Sequence, residues 1–308
     1  MPVNHLPPAT WTGRSDPEDG DQALRLHHLV KSDAPRALIG FASEAGVIRN
    51  KGRSGAKEGP AALRKALANL AAPANPIAFA DLGDIEITGD DLEAGQSALA
   101  DKICDALGSY NRLIVLGGGH ETAFGSYTGL TQAFPQKRIG IVNLDAHLDI
   151  RLLGDNGPSS GTPFAQIRAL DEKNFDYLCL GVSEESNTAA LMDRARSWNV
   201  QTIADHALIE DRHSADLAIE SMAQRNELIY LTIDLDVLPH SQAPGVSAPA
   251  ARGVPLSTIE YLVRKVLDVC GKSACALPLA DIVELSPPND RQNITAKTAA
   301  LLIRQMLC

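Results

Sequence analysis

Seven short apolar runs recur along the chain, and amphipathic stretches separate them. Most of the runs lack the alternation of polar and apolar residues that marks a strand with one face in water. Strands that are apolar nearly throughout are typical of a parallel sheet that helices cover on both faces. The runs begin at Ala37, Pro76, Arg112, Arg138, Tyr177, Leu228 and Leu277.

The stretches between the runs carry helical signals. Pro60 lies near the start of GPAALRKALANLA, at a position that the first turn of a helix tolerates. Ser257 and Glu260 have the spacing of a capping box, and Gly271 marks the end of the same helix. An amphipathic segment from Thr295 closes the chain. This alternation predicts the α/β class, with a central, mainly parallel sheet flanked by helices in three layers.

No internal repeat, low-complexity linker or break in composition divides the 308 residues. We therefore expect a single domain over residues 1–308, in which residues 1–35 form an N-terminal arm. The arm lacks the basic segment and apolar core of a secretory signal. No apolar run approaches the length that spans a bilayer, so we expect no membrane partner.

Charge and cysteine content narrow the class of protein further. The net charge is −10, and no basic stripe of the kind that binds nucleic acid occurs. The number of cysteines is odd, and their spacing fits neither a disulfide framework nor a zinc site. We expect reduced thiols in a cytoplasmic protein. The cysteines are Cys104, Cys179, Cys270, Cys275 and Cys308.

Three of the predicted strands are followed by side chains that bind metals. Side chains two and four residues apart in an extended segment point to one side. Ligands of open parallel sheets bind beyond the carboxyl ends of the strands, so all of these side chains are expected at one edge. They are His120, Asp145, His147, Asp149, Asp234 and Asp236.

Four carboxylates and two imidazoles in one place indicate bound cations. Carboxylates that lie close together raise one another's pKa values, and divalent cations remove this repulsion. Such a ligand mixture suits manganese, zinc or iron(II), and six ligands suit two ions with bridging carboxylates. Any one of the six alone would fit a cap, turn or loop residue. Glycines 117–119 lack the phosphate-loop and dinucleotide patterns, and we expect them to let backbone pass close to the metals.

Three of these segments resemble the metal motifs of the ureohydrolase family, which includes arginase, agmatinase and formimidoylglutamase. They are GGGHE, NLDAHLDIR and TIDLDVLPHSQAPGVSAP, in the same chain order. A fourth segment, ADIVELSPPND, is similar to the signature that carries a substrate-facing glutamate, here Glu284. The resemblance extends from about Gly46 to the end of the chain and implies an arginase-like fold.

Further segments resemble the formimidoylglutamase subgroup of that family. They are GVIRNKGRSGAKEGPAALR from Gly46, SSGTPF from Ser159 and PGVSAPAARGVPL from Pro244. Arginases carry a histidine where this chain has SSGTPF, and no histidine occurs between His147 and His206. The difference argues against an arginase and leaves a proton shuttle of the arginase kind without support.

The resemblance implies two manganese ions per chain and a role for each ligand. One ion would be held by His120, Asp145, Asp149 and Asp234. The second would be held by Asp145, His147, Asp234 and Asp236. Asp145 and Asp234 would then bridge the two ions.

The chemistry of such a site agrees with hydrolysis of an amidine C–N bond. Two metals polarise one water, and the resulting hydroxide attacks an sp² carbon bonded to nitrogen. The amine must leave protonated, and Asp149 is the expected general acid. Glu284 is expected to pair with a cationic amidinium, unless it is a structural carboxylate.

Arg151 favours a substrate that carries carboxylates. It follows Asp149 by two residues, and arginine binds carboxylates well, whereas it would repel agmatine. The alternative for Arg151 is a surface ion pair with Asp155. Ser186 and Asn187 are further predicted substrate contacts. The expected reaction is hydrolysis of N-formimidoyl-L-glutamate to L-glutamate and formamide, a step in histidine degradation.

Other functions stay open at this point. Another ureohydrolase, acting on agmatine, guanidinobutyrate or arginine, would release urea. A non-catalytic metal-binding or assembly protein would lack a ligand or Glu284, and none is missing here. A deacetylase-like hydrolase favours one zinc and a histidine pair before the metal strand, but His27 and His28 lie near the N-terminus. The resemblance also favours a homo-oligomer.

Overall fold

The computed structural model describes residues 3–307, apart from the side chain of Asp21. Within this part of the chain nine strands form one sheet. All seven predicted strands are confirmed. The strands are β1 Val3–Leu6, β2 Arg36–Ala42, β3 Phe79–Ile87, β4 Arg112–Leu116, β5 Ile139–Leu144, β6 Asp176–Val182, β7 Gln201–Ala204, β8 Leu228–Asp234 and β9 Ala276–Val283.

The sheet is mainly parallel, as the apolar runs predict. Its strand order is β1-β3-β2-β4-β9-β8-β5-β6-β7. Every neighbouring pair is parallel except β1 with β3. This order places the carboxyl ends of β4, β9, β8 and β5 side by side at the centre of the sheet.

Helices follow most of the strands and cover both faces of the sheet. They are α1 Ala45–Arg49, α2 Gly59–Ala68, α3 Leu92–Leu107, α4 Thr122–Ala133, α5 Pro163–Leu170, α6 Ala189–Ser197, α7 Asp205–Glu210, α8 His213–Arg225, α9 Leu256–Lys272 and α10 Ile294–Leu307. Pro60 lies in the first turn of α2, as predicted.

The predicted capping box of α9 was wrong. The helix begins at Leu256, its N-cap is Pro255, and no side chain of the cap forms a hydrogen bond there. Ser257 therefore lies inside the first turn rather than at the cap. The backbone N–H of Leu256 donates instead to the side chain of Gln242 at 2.8 Å. A residue distant in sequence satisfies the helix end, which spacing within the helix does not reveal.

Two separate hydrophobic clusters bury the two faces of the sheet. In β4, Ile114 and Leu116 belong to the first cluster, whereas Leu113 and Val115 belong to the second. Side chains of α2, α9 and α10 complete the first cluster, and side chains of α3 and α4 complete the second. Successive residues of a strand point to opposite faces, so this division produces the three layers.

The N-terminal arm contributes an edge strand that was not predicted. β1 pairs antiparallel with β3, with Val3 opposite Ile87. Further along the arm, the indole N–H of Trp11 donates to Asp81 at 2.8 Å, and Arg64 donates to the same carboxylate at 2.8 Å. These contacts tie the arm to the sheet. Met1 and Pro2 lie outside the described residues.

Two other expectations concern cysteines and membranes. Four cysteines, Cys104, Cys179, Cys270 and Cys275, have free thiols, and Cys308 lies outside the described residues. None of the helices in residues 3–307 is long and apolar enough to cross a membrane.

Candidate metal centre and active site

Four neighbouring strands bring the predicted site residues to one edge of the sheet. Beyond the end of β4, the glycine run leads to His120. The segment after β5 carries Asp145, His147 and Asp149. The six predicted ligands and Glu284, which follows β9, are all at the carboxyl ends of β4, β5, β8 and β9.

The first group of ligands surrounds His120. Its ring Nδ1 lies 2.9 Å from an oxygen of Asp149 and 3.2 Å from oxygens of both Asp145 and Asp234. One ligand atom from each of these four residues lies within 4.8 Å of all the others. The structure thus brings together the four residues that the sequence assigns to one ion.

The second group shares Asp145 with the first. His147 Nδ1 lies 3.0 Å from Asp236 Oδ2 and 3.7 Å from Asp145 Oδ1, and the three residues offer atoms within 4.8 Å of one another. Asp145 and Asp234 each accept, at Oδ1, a hydrogen bond from the backbone N–H two residues later, at 2.6 and 2.8 Å. Asp145 belongs to both groups and so has the position of a bridge, whereas a bridging role for Asp234 stays a prediction.

Burial and mutual repulsion disturb the carboxylates of both groups. Burial raises the pKa of Asp234 well above its ordinary value, and the charges of Asp236 and Asp145 raise it further. Burial raises the pKa of Asp236 to about 6, although His147 opposes the change. Burial also raises the pKa of Asp149. For Asp145, hydrogen bonds from the two histidines outweigh burial and lower the pKa below its ordinary value.

The histidines respond to the same carboxylates in the opposite sense. Burial disfavours the charged form of His120, but close contacts with Asp145, Asp149 and Asp234 outweigh it and raise the pKa well above its ordinary value. Asp236 raises the pKa of His147 despite burial. The carboxylates therefore favour the charged form of both rings.

The donor set fits divalent cations. Within residues 3–307, the buried atoms His120 Nδ1 and Asp236 Oδ1 have no well-aligned hydrogen bond with a protein group, as expected for atoms that face a bound ion. A mixture of carboxylate oxygens and imidazole nitrogens is the ligand type that manganese accepts. Two groups with one shared carboxylate match the arrangement of a two-metal site.

The other ring nitrogen of His120, Nε2, forms a hydrogen bond with Thr232. Nε2 lies 3.1 Å from the hydroxyl oxygen of Thr232. Thr232 lies opposite Asp281 in the β8–β9 pair, and the Tyr230 hydroxyl donates to the carboxylate of Asp281. A hydrogen-bonded second ring nitrogen fixes which nitrogen faces a metal.

Glu284 lies beside the first group of ligands and is 3% exposed. Its Oε1 accepts a hydrogen bond from the backbone N–H of His120 at 2.8 Å, and its Oε2 accepts one from the Ser247 hydroxyl at 2.8 Å. Burial raises its pKa to about 8, and the nearby charge of Asp234 acts in the same direction. A cation next to Glu284 would favour its charged form.

A cavity of about 290 Å³ opens above the ligands. It contains the four residues that the sequence predicts as substrate contacts. Its lining comprises Asn50, Lys51, Gly52, His147, Asp149, Arg151, Ser160, Ser186, Asn187, Leu191, Asp234, Asp236, Ser247, Ala248 and Glu284.

The predicted contacts differ in how free their side chains are. Within residues 3–307, the guanidinium group of Arg151 has no ion pair, and the alternative pair with Asp155 does not form. Asn187 is fully engaged, because its amide donates to the carbonyls of Ala146 and Ser183 at 2.9 and 2.8 Å and accepts from the N–H of Leu148 at 3.1 Å. These three hydrogen bonds stabilise the segment after β5, which carries three of the predicted ligands.

Sequence reasoning missed four polar residues of the cavity wall. Asn50 donates to the Ser160 hydroxyl at 3.1 Å, and this bond joins two loops across the cavity. The Ser247 hydroxyl donates a hydrogen bond to Glu284. Lys51, the residue after Asn50, also lines the cavity. These residues fall within the segments that resemble the formimidoylglutamase subgroup. That resemblance was the signal that could have identified them.

Comparisons with known proteins give matches over most of the chain. The model of the arginase family matches residues 34–308. The chain is 45% identical over 315 residues to the formimidoylglutamase of Rhodococcus opacus, covering 98% of this chain and 96% of the relative. It is 43% identical over 316 residues to the formimidoylglutamase of Aeromonas hydrophila, covering 99% and 98%.

Solved structures have the same fold. The crystal structure of Trypanosoma cruzi formiminoglutamase with Mn²⁺ superposes with a TM-score of 0.80 at 27% identity, covering 92% of this chain and 97% of that chain. Formimidoylglutamase from Bacillus subtilis superposes with a TM-score of 0.82 at 23% identity, covering 96% and 93%. The second likeness supports the fold alone.

Proposed function

The chain belongs to the arginase family and is a hydrolase, and we propose that it converts N-formimidoyl-L-glutamate and water to L-glutamate and formamide with two Mn²⁺ ions. The observation that carries the proposal is the cavity. Residues of both ligand groups line it, together with Glu284 and with Arg151, which has no ion pair within residues 3–307. Relatives named formimidoylglutamase support the choice of substrate. The Mn²⁺ in the Trypanosoma cruzi structure supports the choice of metal.

In this proposal each ligand group holds one ion. His120, Asp145, Asp149 and Asp234 would bind the first, and Asp145, His147, Asp234 and Asp236 would bind the second. Two bound ions would lower the pKa of a shared water enough to supply a nucleophile near neutral pH. The protein's own contribution is to hold and orient the substrate and to move its protons.

Glu284 and Asp149 have complementary tasks at the reacting carbon. The Glu284 carboxylate pairs with the cationic formimino group, which stabilises the charged form of both partners. Attack of water on the formimino carbon is followed by cleavage of its bond to the glutamate nitrogen. Asp149 takes a proton from the attacking water and gives it to that nitrogen as the bond breaks, and the formimino carbon and nitrogen depart with the water oxygen as formamide.

Arg151 selects the substrate by charge. Its guanidinium is unpaired within the described residues and lines the cavity, so it is available for a substrate carboxylate. N-formimidoyl-L-glutamate has two carboxylates, whereas agmatine has none. The proposal extends to a role in histidine degradation in the cytoplasm.

A product assay tests the proposal. Protein loaded with Mn²⁺ is given N-formimidoyl-L-glutamate, agmatine, guanidinobutyrate and arginine in parallel, and bound manganese is measured in the same sample. We expect formamide and glutamate from the first substrate, no urea from the others, and two manganese ions per chain. Urea from a guanidino compound without formamide from the first substrate would overturn the substrate assignment.

A further inference from the structure

The segment from Arg49 to Lys57 contains four cationic side chains, and one of them has no protein partner. Arg49 pairs with Glu93 at 3.1 Å, Arg53 donates to the carbonyl of Ser247 at 3.1 Å, and Lys57 pairs with Glu86 at 3.2 Å. Lys51, the fourth, makes no ion pair or side-chain hydrogen bond within residues 3–307. It lines the cavity.

The backbone of Lys51 has a conformation that favours glycine. Asn50 is the C-cap of α1, and Lys51 follows it with φ +63°. The N–H of Lys51 donates to the carbonyl of Ile48 at 2.9 Å, and the N–H of Gly52 donates to that of Val47 at 2.8 Å. These two bonds define a Schellman motif, in which the position of Lys51 is usually glycine. The backbone of this motif alone therefore favours glycine over lysine at this position.

Strained backbone recurs around the same cavity. Six non-glycine residues between residues 3 and 307 have positive φ, and three of them, Lys51, Asp149 and Glu284, line the cavity. Residues that hold a sparsely populated conformation cluster at functional sites. Asp149 and Glu284 each have a role in the proposed reaction. We therefore expect Lys51, the third of these residues, to contact the substrate as well.

We infer that Lys51 binds one of the two carboxylates of the substrate and that Arg151 binds the other. The inference rests on the proposed function and deepens it. Lys51 and Arg151 are the lysine and arginine among the described residues of the cavity wall, and both lack a protein partner. Two free cations match a dicarboxylate, whereas guanidinobutyrate offers one carboxylate and agmatine none. A lysine at this helix end makes the site specific for an acidic substrate.

The Lys51→Gly variant tests the inference, because glycine suits the backbone and removes the charge. We expect KM for N-formimidoyl-L-glutamate to rise about 10- to 100-fold, the range of a lost charge-assisted hydrogen bond. We expect kcat to change less than about threefold and thermal stability to stay the same or rise. Lys51→Arg keeps the charge and should restore most of the affinity. Lys173, an exposed lysine outside the cavity wall, provides the control Lys173→Ala.

Modified substrates separate a specific contact from a general charge effect. The α-carboxamide and the γ-carboxamide of N-formimidoyl-L-glutamate each lack one carboxylate. The effect of Lys51→Gly should disappear with one of the two. An effect that persists with both, or a wild-type KM in Lys51→Gly, would overturn the inference while leaving the proposed function intact.

Binding of L-glutamate keeps the inference testable without turnover. Calorimetry on manganese-loaded protein should show an affinity for L-glutamate that falls about 10- to 100-fold in Lys51→Gly and is unchanged in Lys173→Ala. If wild-type protein releases no formamide, the proposed function fails. Lys51 is then judged by L-glutamate binding alone, and equal affinity in the wild type and in Lys51→Gly would rule it out.

Discussion

His120 can offer Nδ1 to a metal only if its other ring nitrogen carries the proton. Nε2 lies 3.1 Å from the Thr232 hydroxyl oxygen, which accepts a hydrogen bond from Nε2–H and so fixes the tautomer. Replacing Thr232 with Val removes the acceptor and leaves a buried N–H without a partner. We expect affinity for Mn²⁺ to fall about 10- to 100-fold, measured by competition with a fluorescent chelator.

A threonine outside this network provides the control for Thr232→Val. Thr128 is partly buried in α4, and its hydroxyl donates to the carbonyl of Phe124 in the same helix at 2.7 Å. Thr128→Val should therefore leave metal affinity within about threefold of the wild type. Equal affinities in Thr232→Val and the wild type would show that packing alone orients the His120 ring.

The clustering of the candidate metal ligands was predictable from sequence, whereas much of the cavity wall was not. Asp145, His147 and Asp149 are spaced so that one strand end presents them together, and this spacing is readable in the chain. Asn50 and Ser160 are 110 positions apart in the sequence, and neither segment alone indicates that they form a hydrogen bond. Contacts between loops depend on the sheet that brings the loops together.

At the scale of the element, the glycine run after β4 allows two strand ends to come close together. A side chain at Gly118 would place its Cβ 1.8 Å from the backbone oxygen of Ser43, just beyond β2. The close neighbour of this glycine is therefore backbone of the β2 end. We expect Gly118→Ala to displace the run that leads to His120, to lower the free energy of unfolding by about 2 kcal/mol or more, and to weaken metal binding.

Chemical denaturation with matched alanine variants measures this effect. Gly271 lies inside α9, and a Cβ there would meet no atom within 4 Å. Gly271→Ala should stabilise the protein by about 0.5–1 kcal/mol, because alanine favours helix. If Gly118→Ala were as stable as the wild type, the close approach to Ser43 would not be needed for the fold.

The two strands that escaped prediction, β1 and β7, are exposed ones. Three of the four residues of β1 are exposed, as are two of the four in β7, and both strands lie at the edges of the sheet. An edge strand in contact with water has little apolar signal. The central strands, buried on both faces, were all identified because burial imposes a continuous apolar run. Prediction therefore succeeded where the core dictates sequence.

At the scale of the whole molecule, the candidate metal centre gathers acidic groups at the middle of the sheet, where burial penalises their charge. Burial raises the pKa of Glu284 from 4.5 to about 8 and that of Asp236 from 3.8 to about 6. At a pH between the ordinary and the raised pKa of each group, the folded, metal-free protein therefore keeps a proton that the unfolded chain has released. Its free energy of unfolding must fall as pH rises through this window, by about 2 kcal/mol or more between pH 6 and pH 8.

Bound cations replace those protons, so stabilisation by metal should grow with pH. We expect Mn²⁺ to raise Tm more at pH 8 than at pH 6, by roughly 5 °C. Thermal unfolding of chelator-treated protein, with and without the ion, measures the two rises. The Glu284→Gln variant removes the larger of these two pKa shifts, so its metal-free Tm should depend less on pH than that of the wild type. A metal-free Tm that is equal at both pH values, with the same gain from Mn²⁺ at each, would contradict this coupling. The burial that brings these carboxylates together would then be balanced within the protein itself, and the acidic edge of the sheet would not depend on an ion for its stability.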